Sequence, residues 1–249
     1  MLKYQENALA RIRKGLRRMS AIVDRAIKED YKEADTRKIV SDMLCEYLGW
    51  DKFENVTAEQ MIGSRYADYV VKTSDEEVFV VEVKQIGLKL KESHLNQARQ
   101  YAVDEGIDWC VLTNGDEWQA YRTELVGKIP KTSHVFTVRL SDPDMKPADK
   151  ASLFYLLSEE ANRKKEIEDY YGKHAALTGG SLARTILDEP VITAIRRAIK
   201  NDKNQKLQNS EIQKALIKRL FSSEVVEAGE DEFTKIVKKT ERAERAKAK

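Results

Sequence analysis

Apolar residues recur at alternating spacings of three and four positions near the start of the chain, at Leu9, Ile12, Leu16, Met19, Val23 and Ala26. This spacing predicts an amphipathic helix or a short coiled coil. We expect the helix either to pack on the core of its own chain or to pair with a second copy. A second helix is predicted from about Lys32 to Leu48, because Gly49 is well placed as a C-terminal stop.

Short β-branched and aromatic runs bounded by turn residues predict strands in the middle of the chain. They are a short extended piece within residues 53–63, a strand over residues 64–72, FVVEVK at Phe79–Lys84, the pair DWCVLTNG and DEWQAYRT, and HVFTVRL at His134–Leu140. Asn114-Gly115 predicts a tight turn between the paired strands. A helix is predicted from about Leu90 to Glu105. Elements in this order predict an α/β fold with a mixed central sheet flanked by helices.

The composition changes at Ser141–Lys150, where two prolines stand among charged residues and predict a linker. Beyond it the pattern is helical, over residues 151–174, 181–201 and 210–224. From residue 227 onward the chain is dense in charge, and we expect a partly disordered tail. These changes predict four parts: an N-terminal basic amphipathic helix at residues 1–31, the mixed α/β domain at 32–145, a helical C-terminal region at 146–226 and the charged tail at 227–249.

The composition is that of a folded chain without a membrane segment. Of 249 residues, 41% are hydrophobic and 35% are charged, which is unlike a disordered protein. The sequence has no run of about eighteen apolar residues, and its N-terminus lacks the apolar core of a signal peptide. We therefore expect a cytoplasmic protein with no membrane partner. Cys45 and Cys110 have no zinc-type spacing and are expected to be buried free thiols.

Charge is distributed unevenly along the chain, although the formal net charge is only +2. Residues 1–28 and 235–249 are rich in Lys and Arg, and smaller basic spots occur at Arg196-Arg197 and Lys214–Arg219. Contact with nucleic-acid phosphates and simple solvation of helix faces both account for such segments. For the two smaller spots, solvated faces are the more common use, and contact with DNA or a second subunit is the alternative.

The hexapeptide FVVEVK places two opposite charges on an apolar strand. Glu82 and Lys84 share one face of this strand because side chains alternate. Buried ions are costly unless they are paired or functional, so an ion pair at the strand end is one interpretation. The other is a metal-dependent nuclease site, which requires the sheet to bring Asp68 beside Glu82. Carboxylates hold Mg²⁺, and a lysine beside them can lie close to the attacking water.

Five segments in order along the chain extend this pattern: EADTRKIVSDMLCEYLGW, ADYVV, VFVVEVK, LNQARQYA and WCVLTNGDEWQAY. On these segments, residues 33–121 resemble the PD-(D/E)XK nuclease superfamily. The resemblance is specifically to the nuclease domain at the N-terminus of type I restriction enzyme R subunits and to stand-alone predicted type IV restriction endonucleases. It implies a restriction-endonuclease-like fold for residues 32–145, and it favours the nuclease site over the ion pair.

The resemblance also implies roles for the charged residues. Asp68 and Glu82 would ligate the metal, with the backbone carbonyl of Val83 as a further ligand. Lys84 would orient or activate water and stabilise charge on the phosphate. The implied cofactor is Mg²⁺, for which Mn²⁺ can substitute. Ala67 stands where the family has a proline before the acid, at a position that varies.

Three further positions match the family through their helices. Glu33 corresponds to an acidic helical residue that supports the site, while Gln97 and Tyr101 correspond to a QxxxY element near the catalytic lysine or the DNA backbone. Each has an ordinary alternative in the fold. An acid is favourable near a helix N-terminus whatever the function, and a tyrosine in an amphipathic helix is often part of the core.

The function implied by the resemblance is a Mg²⁺-dependent endodeoxyribonuclease that acts on DNA in the restriction of foreign or modified DNA. The sequence contains no GxxxxGK[ST] phosphate loop, so we expect no ATP-binding motor in this chain. If the first helix forms a coiled coil, a second copy of the chain is a further expected partner, in a homodimer. One alternative function is a non-catalytic nucleic-acid-binding or assembly module that retains the nuclease-like fold. Another is a structural protein in which Glu82 and Lys84 form an internal pair.

Overall fold

The computed structural model of the protein describes residues 2–62, 65–74, 76–126 and 129–247. The start of the predicted strand at Ser64 and the last two residues of the predicted tail lie outside these ranges. The described chain divides into two compact units, Met1–Tyr170 and Tyr171–Lys249.

Within the described ranges, the first unit contains six strands together with the helices that pack on them. Its helices are α1 (Lys3–Lys28), α2 (Glu33–Asp42), α3 (Asn96–Glu105), α4 (Pro147–Leu156), α5 (Glu159–Arg163) and the beginning of α6 (Glu166–Ala176). A π-helical turn continues α2 over Met43–Tyr47, and a 3₁₀ turn at Glu92–Leu95 precedes α3. Its strands are β1 (Val56–Ile62), β2 (Arg65–Lys72), β3 (Glu77–Val83), β4 (Trp109–Thr113), β5 (Glu117–Val126) and β6 (Ile129–Arg139).

The strands form one mixed sheet in the order β1-β2-β3-β4-β5-β6. Neighbouring strands are antiparallel except for β3 and β4, which are parallel. A parallel pair needs a crossover connection, and α3 provides it between β3 and β4. The predicted α/β fold with a mixed central sheet flanked by helices is therefore confirmed.

The hairpin between β4 and β5 is present, but its turn is shifted by one residue from the predicted Asn114-Gly115 centre. Thr113 pairs with Trp118, and Asn114 N donates to Glu117 O at 3.2 Å, so that Gly115 and Asp116 are the central residues. Gly115 has a φ of +85°, which a two-residue turn with glycine at its first central position requires. The second hydrogen bond across the turn is made by the side chain of Asn114, whose Oδ1 accepts from Glu117 N at 2.7 Å.

The apolar stripe of the first helix packs inside the chain. In α1, Leu9, Ile12, Met19 and Val23 are buried, and the helix contacts α4, α5 and the π-helical turn. Of the two expectations for this stripe, packing on the core is the one observed. The 1–31 segment is accordingly part of the first unit, and the predicted boundary after residue 31 differs from the division that the contacts define.

The predicted boundary at 145/146 also lies inside the first unit, because α4 packs on α1 and β6, and α5 packs on α1 and α4. The loop before α4 spans part of the predicted linker, but α4 begins at Pro147, in the first turn where proline is tolerated. The predicted helix over 151–174 is broken into α4, α5 and α6. Ser158 makes the first break, since its hydroxyl caps α5 by accepting from Ala161 N at 3.3 Å.

The described residues of the second unit form helices joined by short loops. It contains the end of α6, α7 (Gly179–Leu187), α8 (Glu189–Lys203), α9 (Asn209–Arg219) and α10 (Ser223–Lys247). Ala183, Leu187 and Phe233 form its buried apolar cluster. The expectation of a partly disordered tail from residue 227 differs from the structure, because the burial of Phe233 and Val237 fixes one face of α10. The predicted helix over 181–201 is two helices, with Pro190 in the first turn of α8.

Two expectations from composition concern the cysteines and the membrane. Cys45 is half-buried and Cys110 is buried, and both are free. Among the helices in the described ranges, none has the length and apolar character that a membrane crossing needs.

Candidate active site

Strands β2 and β3 place two carboxylates side by side. Tyr69 pairs with Val81 in the antiparallel register, and extending this register by one residue sets Asp68 opposite Glu82 on the same face of the sheet. Both acids are buried, with 9% and 3% of their surface exposed. Val83 N donates to Asp68 Oδ2 at 2.7 Å. The two acids predicted from sequence are therefore brought together, and the backbone of Val83 contacts Asp68 through its amide.

Lys84 follows β3 directly and lies against Glu82. Its backbone N donates to Thr113 O at 2.8 Å, which continues the pairing with β4. Its Nζ lies 2.5 Å from Glu82 Oε1. The ion pair that the hexapeptide suggested is therefore present, and it lies beside the second carboxylate.

Arg37 on α2 connects Asp68 to a third acid. Its Nη2 lies 2.7 Å from Asp68 Oδ1 and 3.0 Å from Glu33 Oε1. Its Nε is buried without a hydrogen-bond partner in the described part of the chain. Glu33 thus lies near the two carboxylates, and it is linked to Asp68 through the guanidinium of Arg37.

Helix α2 is fixed to the end of β3 by a buried threonine. Thr36 Oγ1 accepts from Ile86 N at 3.0 Å, and the same hydroxyl donates to Lys32 O at 3.2 Å. Tyr69 adds a second link, because its hydroxyl donates to Arg37 O at 2.8 Å. These bonds hold the first two turns of α2 against the strands, so that Glu33 and Arg37 face the carboxylates.

Burial works against the charged forms of both acids. Burial is the largest cause that raises the pKa of Asp68, and the amide of Val83 and the charge of Arg37 oppose it only in part. Burial likewise raises the pKa of Glu82; the contact with Lys84 opposes this, and the charge of Asp68 reinforces it. For Lys84, burial lowers the pKa, but the contact with Glu82 and the other acids outweighs it, so that the net pKa is raised.

The donor chemistry of this site fits a hard divalent cation. Two buried carboxylates on neighbouring strands supply the oxygen ligands that Mg²⁺ prefers. A cation between them would favour the charged forms of both, and so oppose the effect of burial on their pKa values and the effect of the Asp68 charge on the pKa of Glu82. In the described ranges, no group of three or more His, Cys, Asp or Glu side chains has metal-binding geometry. The residues present therefore fit a cation held by two carboxylates and completed by water, as Mg²⁺ usually is.

The other two predicted site residues lie on α3. This helix packs on the face of the sheet that carries Asp68 and Glu82, and Tyr101 is buried there in the apolar cluster with Val80 and Leu112. The hydroxyl of Tyr101 has no partner among the described residues, and burial, followed by the charge of Glu77, raises the pKa of this tyrosine to about 12. Glu77 is the first residue of β3, and Glu82 is its last residue but one.

Gln97 is exposed in the first turn of α3. Because α3 connects two parallel strands, it runs antiparallel to β3, and its first turn lies toward the strand end that carries Glu82. Of the predicted QxxxY pair, Gln97 is thus the residue nearer to the candidate site. Tyr101 is buried in the apolar core, which is the alternative that the sequence left open for it.

Sequence reasoning overlooked Arg37 and Thr36, which hold α2 at the site. A signal for Arg37 is present, since Glu33 and Arg37 have the i, i+4 spacing of a helical ion pair. That spacing is common on solvated helices, and nothing in the sequence indicates that the guanidinium reaches Asp68. Thr36 carries no signal of its own.

Comparison with known proteins identifies one related family. Residues 32–131 match the model of the family described as the type I restriction enzyme R protein N terminus. The comparisons with curated proteins and with solved structures find no match. The matched residues span α2, the π-helical turn, β1 to β5, α3 and the beginning of β6. The part of the chain that carries Asp68, Glu82 and Lys84 is therefore similar to a restriction-enzyme domain, the N terminus of the type I R protein.

Proposed function

We propose that the protein is a Mg²⁺-dependent endonuclease of the PD-(D/E)XK type, which hydrolyses phosphodiester bonds of DNA in the restriction of foreign or modified DNA. The observation that carries this proposal is the pairing of Asp68 with Glu82 on adjacent strands, with Lys84 against Glu82. The family match over residues 32–131 supports it, because the matched family is one of restriction enzymes.

Each residue has a part that follows from its position. Asp68 and Glu82 would hold Mg²⁺, and Mn²⁺ can replace it because it accepts the same oxygen ligands. When bound, the cation supplies polarisation of the phosphate and acidification of a bound water. In the charged state favoured by Glu82, Lys84 donates hydrogen bonds and cannot accept a proton, so its part is to orient water and to stabilise negative charge on the phosphate. Arg37 and Glu33 position Asp68.

The test is cleavage of several DNAs, including modified phage DNA, by the full chain with Mg²⁺ or Mn²⁺. We expect Asp68→Asn, Glu82→Gln and Lys84→Met each to reduce the cleavage rate by about 10²-fold or more. Glu77→Gln is the matched control, because it makes the same change at the other end of β3, and we expect it to keep wild-type activity. The proposal fails if no DNA is cut, or if Glu82→Gln cuts like the wild type.

Thermal unfolding gives a second readout that does not depend on the substrate. Mg²⁺ bound only by the folded protein raises the melting temperature with concentration. We expect this rise in the wild type and in Glu77→Gln, and its loss in Glu82→Gln. An equal rise in all three proteins would contradict a metal site at Glu82.

A non-catalytic nucleic-acid-binding module is the second candidate. It is favoured by one observation: both oxygens of Asp68 and one oxygen of Glu82 already have partners within the protein. In that case Glu82→Gln would bind DNA as tightly as the wild type, and neither protein would cut any of the DNAs offered.

A further inference from the structure

The second unit carries a cationic groove at the end of α8. Arg196, Arg197, Lys200 and Lys206 line it together with Gln205 and Gln208, and the groove encloses about 430 Å³. Asn204 shapes it, since this residue ends α8 with a φ of +50° and its N donates to Lys200 O at 2.9 Å. The chain turns back there and brings Lys206 beside the helix. We call these six lining residues the α8 groove.

None of the four cations in the α8 groove makes an ion pair with a carboxylate in the described ranges of the chain. Other cations of the same unit do: Arg184 lies 3.4 Å from Glu232, and Lys214 lies 2.6 Å from Glu241. Like charges gathered without an ion-pair partner repel one another, so the groove favours an anion. The C-terminal end of α8 contributes only about half a negative charge against four positive ones.

A second cavity, of about 540 Å³, adjoins the α8 groove, since Arg196 and Gln208 line both. Asn209 and Gln213 also line it, and each is more than nine-tenths buried. Their amide nitrogens are used, with Gln213 Nε2 donating to Leu187 O at 2.7 Å and Asn209 Nδ2 to Thr193 Oγ1 at 3.1 Å. Their carbonyl oxygens, Gln213 Oε1 and Asn209 Oδ1, have no donor in the described part of the chain. We call this cavity the amide cavity.

The two sites together define the chemistry of a ligand. The α8 groove favours a negatively charged ligand. The amide cavity has apolar walls at Leu187 and Ile236 and is also lined by three carboxylates, those of Asp188, Glu189 and Glu244. Its acceptor groups therefore favour N–H or O–H donors, and they disfavour a phosphate inside the cavity itself. Nucleotides in a strand combine these properties, because their phosphates are anionic and their bases carry N–H donors on a flat apolar ring. A polyphosphate supplies the charge but no donors.

We propose that the α8 groove and the amide cavity bind a strand of nucleic acid, with backbone phosphates on the four cations and a base against Asn209 and Gln213. The helical unit is then a second nucleic-acid-binding site, distinct from the carboxylates of the first unit. This proposal rests on the proposed nuclease function only for the choice of DNA as the nucleic acid.

The test measures binding of a fluorescent single-stranded DNA to the full chain by anisotropy over a range of salt concentrations. The protein carries Glu82→Gln and the buffer contains a chelator, so that binding is separated from cleavage. We compare Arg197→Gln/Lys200→Gln with Lys218→Gln/Arg219→Gln, which also removes one Arg and one Lys from exposed positions of the same unit. Thermal unfolding of each protein confirms that the fold is kept.

We expect the groove variant to lose about tenfold or more in affinity and the slope of log affinity against log salt to flatten by about 1.4, since each phosphate contact to a single strand contributes about 0.7. The control variant should bind with the same affinity as the protein that carries Glu82→Gln alone. Equal binding by both variants would overturn the proposal.

Two further ligands test the part played by the base. An abasic strand of the same length should bind more weakly than the normal strand, with the same salt dependence. Equal affinity for both would overturn the contact in the amide cavity, and a mononucleotide that competes as well as a strand would overturn the assignment of a strand. Strand binding without any cleavage by the wild type would overturn the proposed nuclease but not this second site.

Discussion

At the scale of single residues, the candidate site is a balance between burial and ion pairing. Asp68 and Glu82 are nearly inaccessible to water, and each has one cation, Arg37 or Lys84, against one of its oxygens. Burial nevertheless dominates, because it is the largest cause acting on the pKa of each acid. The burial of these carboxylates therefore costs stability at neutral pH, and ionisable groups with such perturbed pKa values are candidates for a functional role.

The first prediction concerns the pH dependence of stability. Because burial raises the pKa of Glu82 above its ordinary value of 4.5, the native state holds more protons than the unfolded chain at pH values above this one. The free energy of unfolding should then fall as the pH rises through the window between 4.5 and the raised pKa. Urea unfolding at a series of pH values should show a smaller fall for Glu82→Gln than for the wild type. Parallel pH profiles would contradict this assignment.

The second prediction concerns Arg37. Replacing it by methionine leaves Asp68 Oδ1 buried without its partner, and we expect the free energy of unfolding to fall by about 1–3 kcal/mol. Lys38→Met is the control on the same helix, because the pair of Lys38 with Asp35 is exposed, and it should change stability by less than about 0.5 kcal/mol. Urea unfolding of the two variants at neutral pH measures both effects. Similar stability of the two would show that Arg37 does not support the site.

At the scale of elements, the close approach of α1 to the π-helical turn decides where the apolar face of α1 packs. Gly15 lies in the middle of α1, where glycine weakens a helix, and it is buried against Tyr47 of the π-helical turn. A Cβ on residue 15 would lie 2.8 Å from the Cβ of Tyr47 and closer still to its ring. The glycine thus permits α1 to pack against the end of the second predicted helix.

The third prediction follows from this contact. Helix propensity alone favours Gly15→Ala by about 1 kcal/mol, but the overlap with Tyr47 costs about 1–3 kcal/mol, so we expect a net loss of stability. Gly172→Ala in α6 is the matched control, because nothing lies within 4 Å of its new Cβ, and it should gain up to about 1 kcal/mol. Thermal unfolding checks both. A gain in both variants would show that Tyr47 moves aside at no cost.

At the scale of the whole molecule, the chain is two units that meet within the sequence of α6. The side chains at the beginning of α6 belong to the first unit: Glu166 accepts from Tyr4 at 2.6 Å, and Glu168 accepts from Trp109 Nε1 at 2.6 Å. The first turns of α6 therefore stabilise the first unit. The α8 groove and the amide cavity are lined only by residues of the second unit.

The fourth prediction is that residues 1–177 fold without the rest of the chain. This fragment keeps all six strands and the whole of α6, and we expect it to unfold cooperatively in urea and to bind DNA more weakly than the full chain. A fragment ending at residue 164 lacks Glu166 and Glu168 and should be clearly less stable. Failure of the longer fragment to fold would mean that the first unit depends on the second.

The sequence by itself predicted the central strands and the candidate site residues Asp68, Glu82 and Lys84. Alternation along FVVEVK fixes Glu82 and Lys84 on one face of β3, because strand geometry has a period of two, and Asn114-Gly115 locates a hairpin because so few residues tolerate its turn. The order of helices and strands was enough for the mixed α/β fold. These features depend on residues that are close in sequence, or on local structures that only a few residue types can adopt.

Only the tertiary structure decided which distant groups meet. The register of β2 on β3 sets Asp68 opposite Glu82, and Thr36 holds α2 so that Arg37 reaches Asp68. Packing also decided that α1 is covered within its own chain, that α10 remains helical and that four cations gather at the end of α8. A sequence pattern gives the face of an element, but the partner of that face depends on contacts between segments far apart in the chain.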